Sequence, residues 1–257
     1  RRRSDCSNRP LELIQGLEAR TLLANTVVFD DVDSDRVTVK LTGPGTVTPT
    51  LSGGATGFID FLGMLGTTGA SSLSISVKQV GGDGRVQVLG LDSVQLKSLD
   101  ASKVDFGINA TATIAQITKF NVGDIPNGAG FNLFPPVGKA VAIACNLMSG
   151  NLTITGPVST LKAFGVFASA AINSGVGDWR ADNFGSISVG GELGGEWRAR
   201  GPNSKGYSFG KVKAVSISNM LIDADEFNLF GRIGSITVAA ILVDSEIIAQ
   251  GLDTLKV

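Results

Sequence analysis

The sequence predicts an all-β fold, a right-handed parallel β-helix wound as a three-sided solenoid of about nine coils. Three observations predict it. The first is a repeat: Val212-Lys-Ala-Val215-Ser-Ile217, Ile233-Gly-Ser-Ile236-Thr-Val238 and Leu252-Asp-Thr-Leu255-Lys-Val257 share one pattern, with anchors at Val215, Ile236 and Leu255 and steps of 236 − 215 = 21 and 255 − 236 = 19. Carried back, the rule gives Leu73, Leu99, Phe120, Val141, Leu161 and Ile187, so coils run from 19 to 28 residues (215 − 187 = 28). The second is alternation: the residue two after each anchor is apolar in all nine, and the residue one after is polar in eight, Ala142 being the exception. That is a strand with one face inward and one outward. The third is a pair of further apolar spots per repeat. One falls about six residues after the anchor, at Leu147, Phe167, Leu193, Leu221 and Leu242. The other falls ten to twelve after it, at Phe131, Leu152, Ile172, Trp197, Phe227 and Ile247. Three short apolar segments per turn describe three strands per coil. Stacked about 4.8 Å apart, nine coils would make a rod of roughly 40 Å, each buried only against its neighbours.

Composition suits such a rod and narrows its chemistry. The chain is 43% hydrophobic and 18% charged, and 34 of its 257 residues are Gly, which serves tight corners. A net charge of −1 gives no global field toward nucleic acid or an anionic membrane. With no His, the commonest general base and metal ligand are missing. The two cysteines, Cys6 and Cys145, read as unpaired, Cys145 as a small core residue in a strand. No run reads as a membrane span; the longest uncharged stretch, 140–161, is interrupted by Asn, Ser, Gly and Pro.

In order along the chain, residues 1–25 fall outside the repeat and read as a tail or short helix. Glu12, Glu18 and Arg20 interrupt the apolar part, so it fails as a signal peptide. Leu17-Glu18-Ala19-Arg20-Thr21-Leu22-Leu23 resembles the LEPR-XLL tag found near the N-terminus of many large exported or surface proteins of planctomycete bacteria, with Ala19 where the tag has Pro. The resemblance covers a tenth of the chain. It implies an extracellular or cell-surface location and a piece of a larger protein, and it says nothing of activity. Residues 26–72 read as N-terminal strands and a cap, with two strands joined by Gly43-Pro-Gly45. Residues 73–257 are the β-helix. Its last strand is expected to offer unpaired backbone groups, so that the chain continues or self-associates through its C-terminal coil.

Candidate sites are few. Asp31, Asp33 and Asp35 have the spacing of a calcium loop, but Arg36 stands where that loop needs Gly and Thr42 where it needs Glu, so a solvated acidic turn is the expectation. Extra residues at about 174–183 and 200–210 read as two insertions leaving one corner of adjacent coils. They and their neighbours hold Trp179, Arg180, Asp182, Glu196, Trp197, Arg200 and Tyr207. Aromatic rings among carboxylates and arginines suit sugar binding, and paired carboxylates suit glycoside hydrolysis. Against this, loops carry polar and aromatic residues in any protein, and Trp197 also fits a core position. No phosphate loop, zinc motif or Ser-His-Asp arrangement is present, and no cofactor is expected. The sequence reading is therefore a structural or adhesive surface module with no catalytic residue, whose partners would be polysaccharide or other surface proteins. A carbohydrate-binding or carbohydrate-active helix with its site at the Trp179/Tyr207 corner is the alternative.

Overall fold

A computed structural model of the chain describes residues 25–52, 57–166, 178–224 and 231–257. Every regular element among them is a strand. The first nine are β1 (Thr26–Asp30), β2 (Arg36–Thr42), β3 (Thr46–Leu51), β4 (Ile59–Leu65), β5 (Ser72–Lys78), β6 (Val86–Val88), β7 (Val94–Gln95), β8 (Ser98–Ala101) and β9 (Val104–Phe106). The next seven are β10 (Thr111–Ala115), β11 (Lys119–Val122), β12 (Gly130–Phe134), β13 (Val141–Met148), β14 (Asn151–Ile154), β15 (Val158–Val166) and β16 (Asp178–Ala181). The last six are β17 (Phe184–Val189), β18 (Glu192–Ala199), β19 (Tyr207–Asp223), β20 (Arg232–Val243), β21 (Glu246–Ile248) and β22 (Gly251–Lys256).

These strands stack as parallel coils, a β-solenoid of about seven turns rather than nine. The count is lower because the first anchor strand, β5, is shared with an antiparallel sheet, β1–β2–β5, and the last, β22, pairs only with β20. From β5 onward one ladder runs β5–β8–β11–β13–β15–β17–β19–β20–β22. Its inward column is Leu73, Leu99, Phe120, Ile143, Leu161, Ile187, Val212, Ile236 and Leu255.

Two of the expected anchors are corrected here. Ile143, not Val141, registers with Phe120 and Leu161, and a one-residue slip in the β13–β15 pairing at Val141/Ala142 sets Val141 opposite Val158. Val212, not Val215, registers with Ile187 and Ile236. In β19 the alternation turns Val212 and Ala214 inward and leaves Val215 44% exposed. The error arose because Val212 and Val215 stand three apart, as Ile233 and Ile236 do.

A second ladder, β7–β10–β12–β14–β16–β18–β19–β21, brings Phe131, Leu152, Trp179, Trp197, Ile222 and Ile247 into register. Phe131, Leu152, Trp197 and Ile247 are as expected. Ile172 and Phe227 lie outside the described residues, and Trp179 and Ile222 take the corresponding places. Between the two ladders Ile125, Met148, Val166, Leu193, Ile217 and Leu242 align, replacing Leu147 and Leu221; Phe167 is not among the described residues. Aromatic rings from different ladders meet inside, Phe131 being 4.7 Å from Phe106 and 5.5 Å from Phe120, and within the first ladder Phe184 stacks on its register partner Phe209 at 5.0 Å.

The Gly43-Pro-Gly45 turn joins β2 to β3 as expected, but as a passage between two sheets. β2 pairs with β1 and β5, and β3 pairs with β4. β4 then pairs in parallel with β6 and β6 with β9, so the N-terminal strands continue into the coils. Ser71 Oγ, buried, donates to Pro44 O at 2.6 Å and fixes this passage.

Candidate functional site

The acidic turn is built differently from the solvated loop the sequence suggests: Asp31 and Asp35 are buried. Asp35 Oδ1 accepts the backbone N–H groups of Val80, Gly81 and Gly82 at 2.7, 3.1 and 2.9 Å, and Oδ2 that of Gly84 at 2.5 Å. These donors, Val80 first, hold its carboxyl down at about 2. Asp31 Oδ1 accepts Asp33 N and Asp35 N at 3.2 and 2.8 Å. Burial, then the adjoining Asp33 carboxyl, pushes Asp31 up to about 6, and Asp33 is lowered by the same contact and by the N–H of Asp83. One oxygen from each of the three lies within 4.8 Å of the others. The donor set is of a kind calcium accepts, but backbone amides of this loop and of loop 80–84 already occupy both oxygens of Asp35 and one oxygen each of Asp31 and Asp33. A cavity of about 280 Å³ opens beside it, lined by Asp31, Asp33, Asp83, Arg85 and Asp105.

Arg85 continues this cluster along the coils. It pairs with Asp105, Nε to Oδ2 at 2.6 Å, and lies 3.5 Å from Asp124. Asp105 Oδ1 accepts Asp124 N at 2.9 Å, and Asp124 Oδ1 accepts Leu147 N at 3.0 Å and Asn146 Nδ2 at 2.7 Å. Each carboxylate thus ties its own coil to the next. Cys145, partly buried nearby, has its thiol pushed up to about 12 by burial and by the Asp124 charge, so it is no nucleophile at neutral pH. Cys6 lies outside the described residues.

The expected corner divides. Residues 178–181 are not a loop but the second-ladder strand β16, so any extra residues precede it, at 167–177, outside the described residues. Trp179 and Arg180 register with Trp197 and Arg198, and Asp182 with Arg200 through the Gly201 N to Asp182 O bond at 3.0 Å. Trp197 is 1% exposed, donates Nε1–H to Gly194 O at 2.9 Å and meets Phe184 edge-on at 5.6 Å. It is a core residue with no ring face to offer a ligand. Glu196 ion-pairs with Arg198. Tyr207 opens β19 in the first ladder, away from Glu196. Its hydroxyl donates to Asp253 Oδ2 at 2.6 Å, and the Arg232 guanidinium lies 5.6 Å from its ring centroid. Arg232 also donates to Asp253 at 2.5 Å. The Tyr207 hydroxyl, then Arg232, keeps Asp253 below the usual carboxylate range.

Sequence reasoning missed Arg232 and Asp253, which lie 25 and 46 positions from Tyr207 (232 − 207 and 253 − 207) and meet only through coil stacking. It also missed an open groove of about 360 Å³ lined by Glu196, Asn219, Asp244 and Glu246 among others. The signal for this groove was visible: Asn219 and Asp244 sit at φ 48° and 45°, beside Gly195 at 89°, so three successive coils turn on residues that tolerate the left-handed region. No helix of the described residues is long and apolar enough to cross a membrane. Compared with protein-family models, curated proteins and solved structures, the chain finds no match.

Proposed function

We propose that the chain is a structural or adhesive solenoid module of an exported or cell-surface protein, presenting its coils as a rigid surface. The observation that carries this reading is where the carboxylates are used. Asp35 holds four amides of a distant loop, Asp105 and Asp124 each hold an amide of the next coil, and Asp253 holds Tyr207 and Arg232. Such groups fasten the rod. The exterior location rests on the likeness of Leu17–Leu23 to the surface-protein tag. Incubating the full chain with pectate, alginate, xylan and chitin tests the first part: no new reducing ends and no unsaturated product are expected, and turnover of any of them overturns it. Fusing residues 1–25 to a reporter in a planctomycete host tests the second, with retention in the cytoplasm as the overturning result.

A carbohydrate-active reading is second, favoured by the groove holding Glu196, Asp244 and Glu246. Glu196 and Glu246 both register with Leu221, one on each side, which puts their backbones about 10 Å apart. Side chains from backbones so spaced can reach the roughly 6.5–9.5 Å between carboxyl groups that inverting glycosidases use. Turnover lost in Glu246→Gln would favour this reading.

A further inference from the structure

We infer that the outer face of the first ladder, from β15 to β22, is a docking surface for a linear acidic polysaccharide. This rests on the reading of the chain as a surface module and names its partner. The register places Lys162, Ser188, Lys213, Thr237 and Lys256 in one outward row across five successive strands. Lysines therefore alternate with hydroxyl residues. Two strand spacings separate Lys162 from Lys213, and two more separate Lys213 from Lys256, about 10 Å each time. Lys211 stands in the adjoining outward row, whose other members are Ser and Thr. These two rows hold four lysines and no carboxylate, in a chain whose 22 Lys and Arg are matched by 23 Asp and Glu. The segregation of charge is thus local to this face.

All four lysines are exposed, and none has an ion-pair partner among the described residues. The same ladder nearer the N-terminus differs: there Lys119 is bound to Asp100 at 2.6 Å. Two residues beyond Lys162 and Lys213, on the same outward side, Phe164 and Val215 are 66% and 44% exposed. The surface accordingly offers regularly spaced cations, hydroxyls between them and an apolar strip alongside. A linear polyanion built of sugar rings matches each part: its acidic groups meet the lysines, its hydroxyls meet Ser188 and Thr237, and its C–H faces rest on Phe164 and Val215. A single nucleic-acid strand fits less well, because such sites stack successive bases on aromatic rings, and beside the lysine rows the described residues offer only Phe164, Tyr207 being tied to Asp253 and Arg232.

The test is affinity electrophoresis of the full chain through gels containing polygalacturonate or chondroitin sulfate, with neutral dextran as control and an oligothymidylate titrated separately. The expected result is retardation by an acidic polysaccharide that weakens with added salt, as exposed charges are screened. The triple variant K162Q/K213Q/K256Q should lose about tenfold or more in affinity, while K40Q/K78Q/K139Q, outside the strands β15 to β22, should not. Unchanged circular dichroism of both variants shows that the loss is not unfolding; Lys162, Lys213 and Lys256 are exposed, and their removal breaks no ion pair among the described residues. If neither acidic gel retards the chain, or if the two triple variants behave alike, the inference is overturned. Binding confined to the oligothymidylate and lost in K162Q/K213Q/K256Q also overturns it, in favour of a nucleic-acid surface. None of these outcomes bears on turnover, the result on which the module reading fails, so the two failures are distinguishable.

Discussion

Asp35 collects four backbone amides from a loop more than forty residues downstream, and this decides how the N-terminal coil answers to pH. Its carboxyl is lowered to about 2, so its contribution to stability is complete above the unfolded value of 3.8 and is lost as pH falls toward 2. Asp31 works the other way. Raised to about 6, it favours folding while protonated, and that contribution is lost as pH rises from 3.8 through 6. Thermal melts of Asp31→Asn should therefore lack the decline that the parent shows between about pH 4 and 7, and Asp35→Asn should lack the parent's decline below about pH 4. With both Asp35 oxygens and one oxygen each of Asp31 and Asp33 engaged by amides, millimolar calcium should leave the Tm unchanged. A rise of several degrees, abolished in Asp33→Ala, would show that the three carboxylates bind the ion after all. A second contrast separates two registers. Val212→Asp or Ile236→Asp places a carboxylate between apolar layers and should cost several kcal/mol, whereas Val215→Asp, on the outer surface, should cost less than about 1 kcal/mol. Equal losses at Val212 and Val215 in denaturant titrations would refute the register.

At the scale of the element, the first ladder was legible because strict alternation around Leu99, Phe120, Leu161 and Ile187 admits one inward face. Val212 and Val215 were not separable, since both satisfy the three-residue spacing and only pairing with Ile187 chooses between them. The strand at Trp179 was hidden for a related reason: a long coil shows that residues are extra but not on which side of the strand they lie. The Tyr207, Arg232 and Asp253 contacts left no trace at all, because stacking brings together residues whose separation along the chain varies from coil to coil. One feature of the ladder does have a sequence mark. A Cβ at Gly210 would stand 2.4 Å from Gly185 O, and one at Gly234 would stand 2.4 Å from Gly210 O, so adjacent strands approach over a column of glycines. Gly210→Ala should force the β17–β19 pairing apart and lower the Tm by about 5 °C or more, against little change for Ala at Gly130, where a Cβ meets nothing nearer than Thr111 at 4.0 Å.

For the whole molecule, each coil holds only its two neighbours, so stability is a sum of local layers and not a property of one centre. Amide exchange should record this. The amides of β13, β15 and β17, covered on both sides, should exchange most slowly, and those of β22, paired only with β20, fastest among the ladder strands. Uniform protection from β5 to β22 would instead indicate a single cooperative block.

The glycine column also makes the rod a thing that can be counted. Gly185 lies under Ser159 O as Gly210 lies under Gly185 O, and the two positions are 210 − 185 = 25 residues apart. Excising residues 185–209 would set Gly210 beneath Ser159 in the same phase and return a molecule shorter by one strand spacing, about 4.8 Å. Length in such a chain is digital: duplication or loss of a coil changes reach by a fixed increment and leaves every remaining layer as it was. Selection on how far the surface extends can therefore act by whole coils, without touching the residues that pack them.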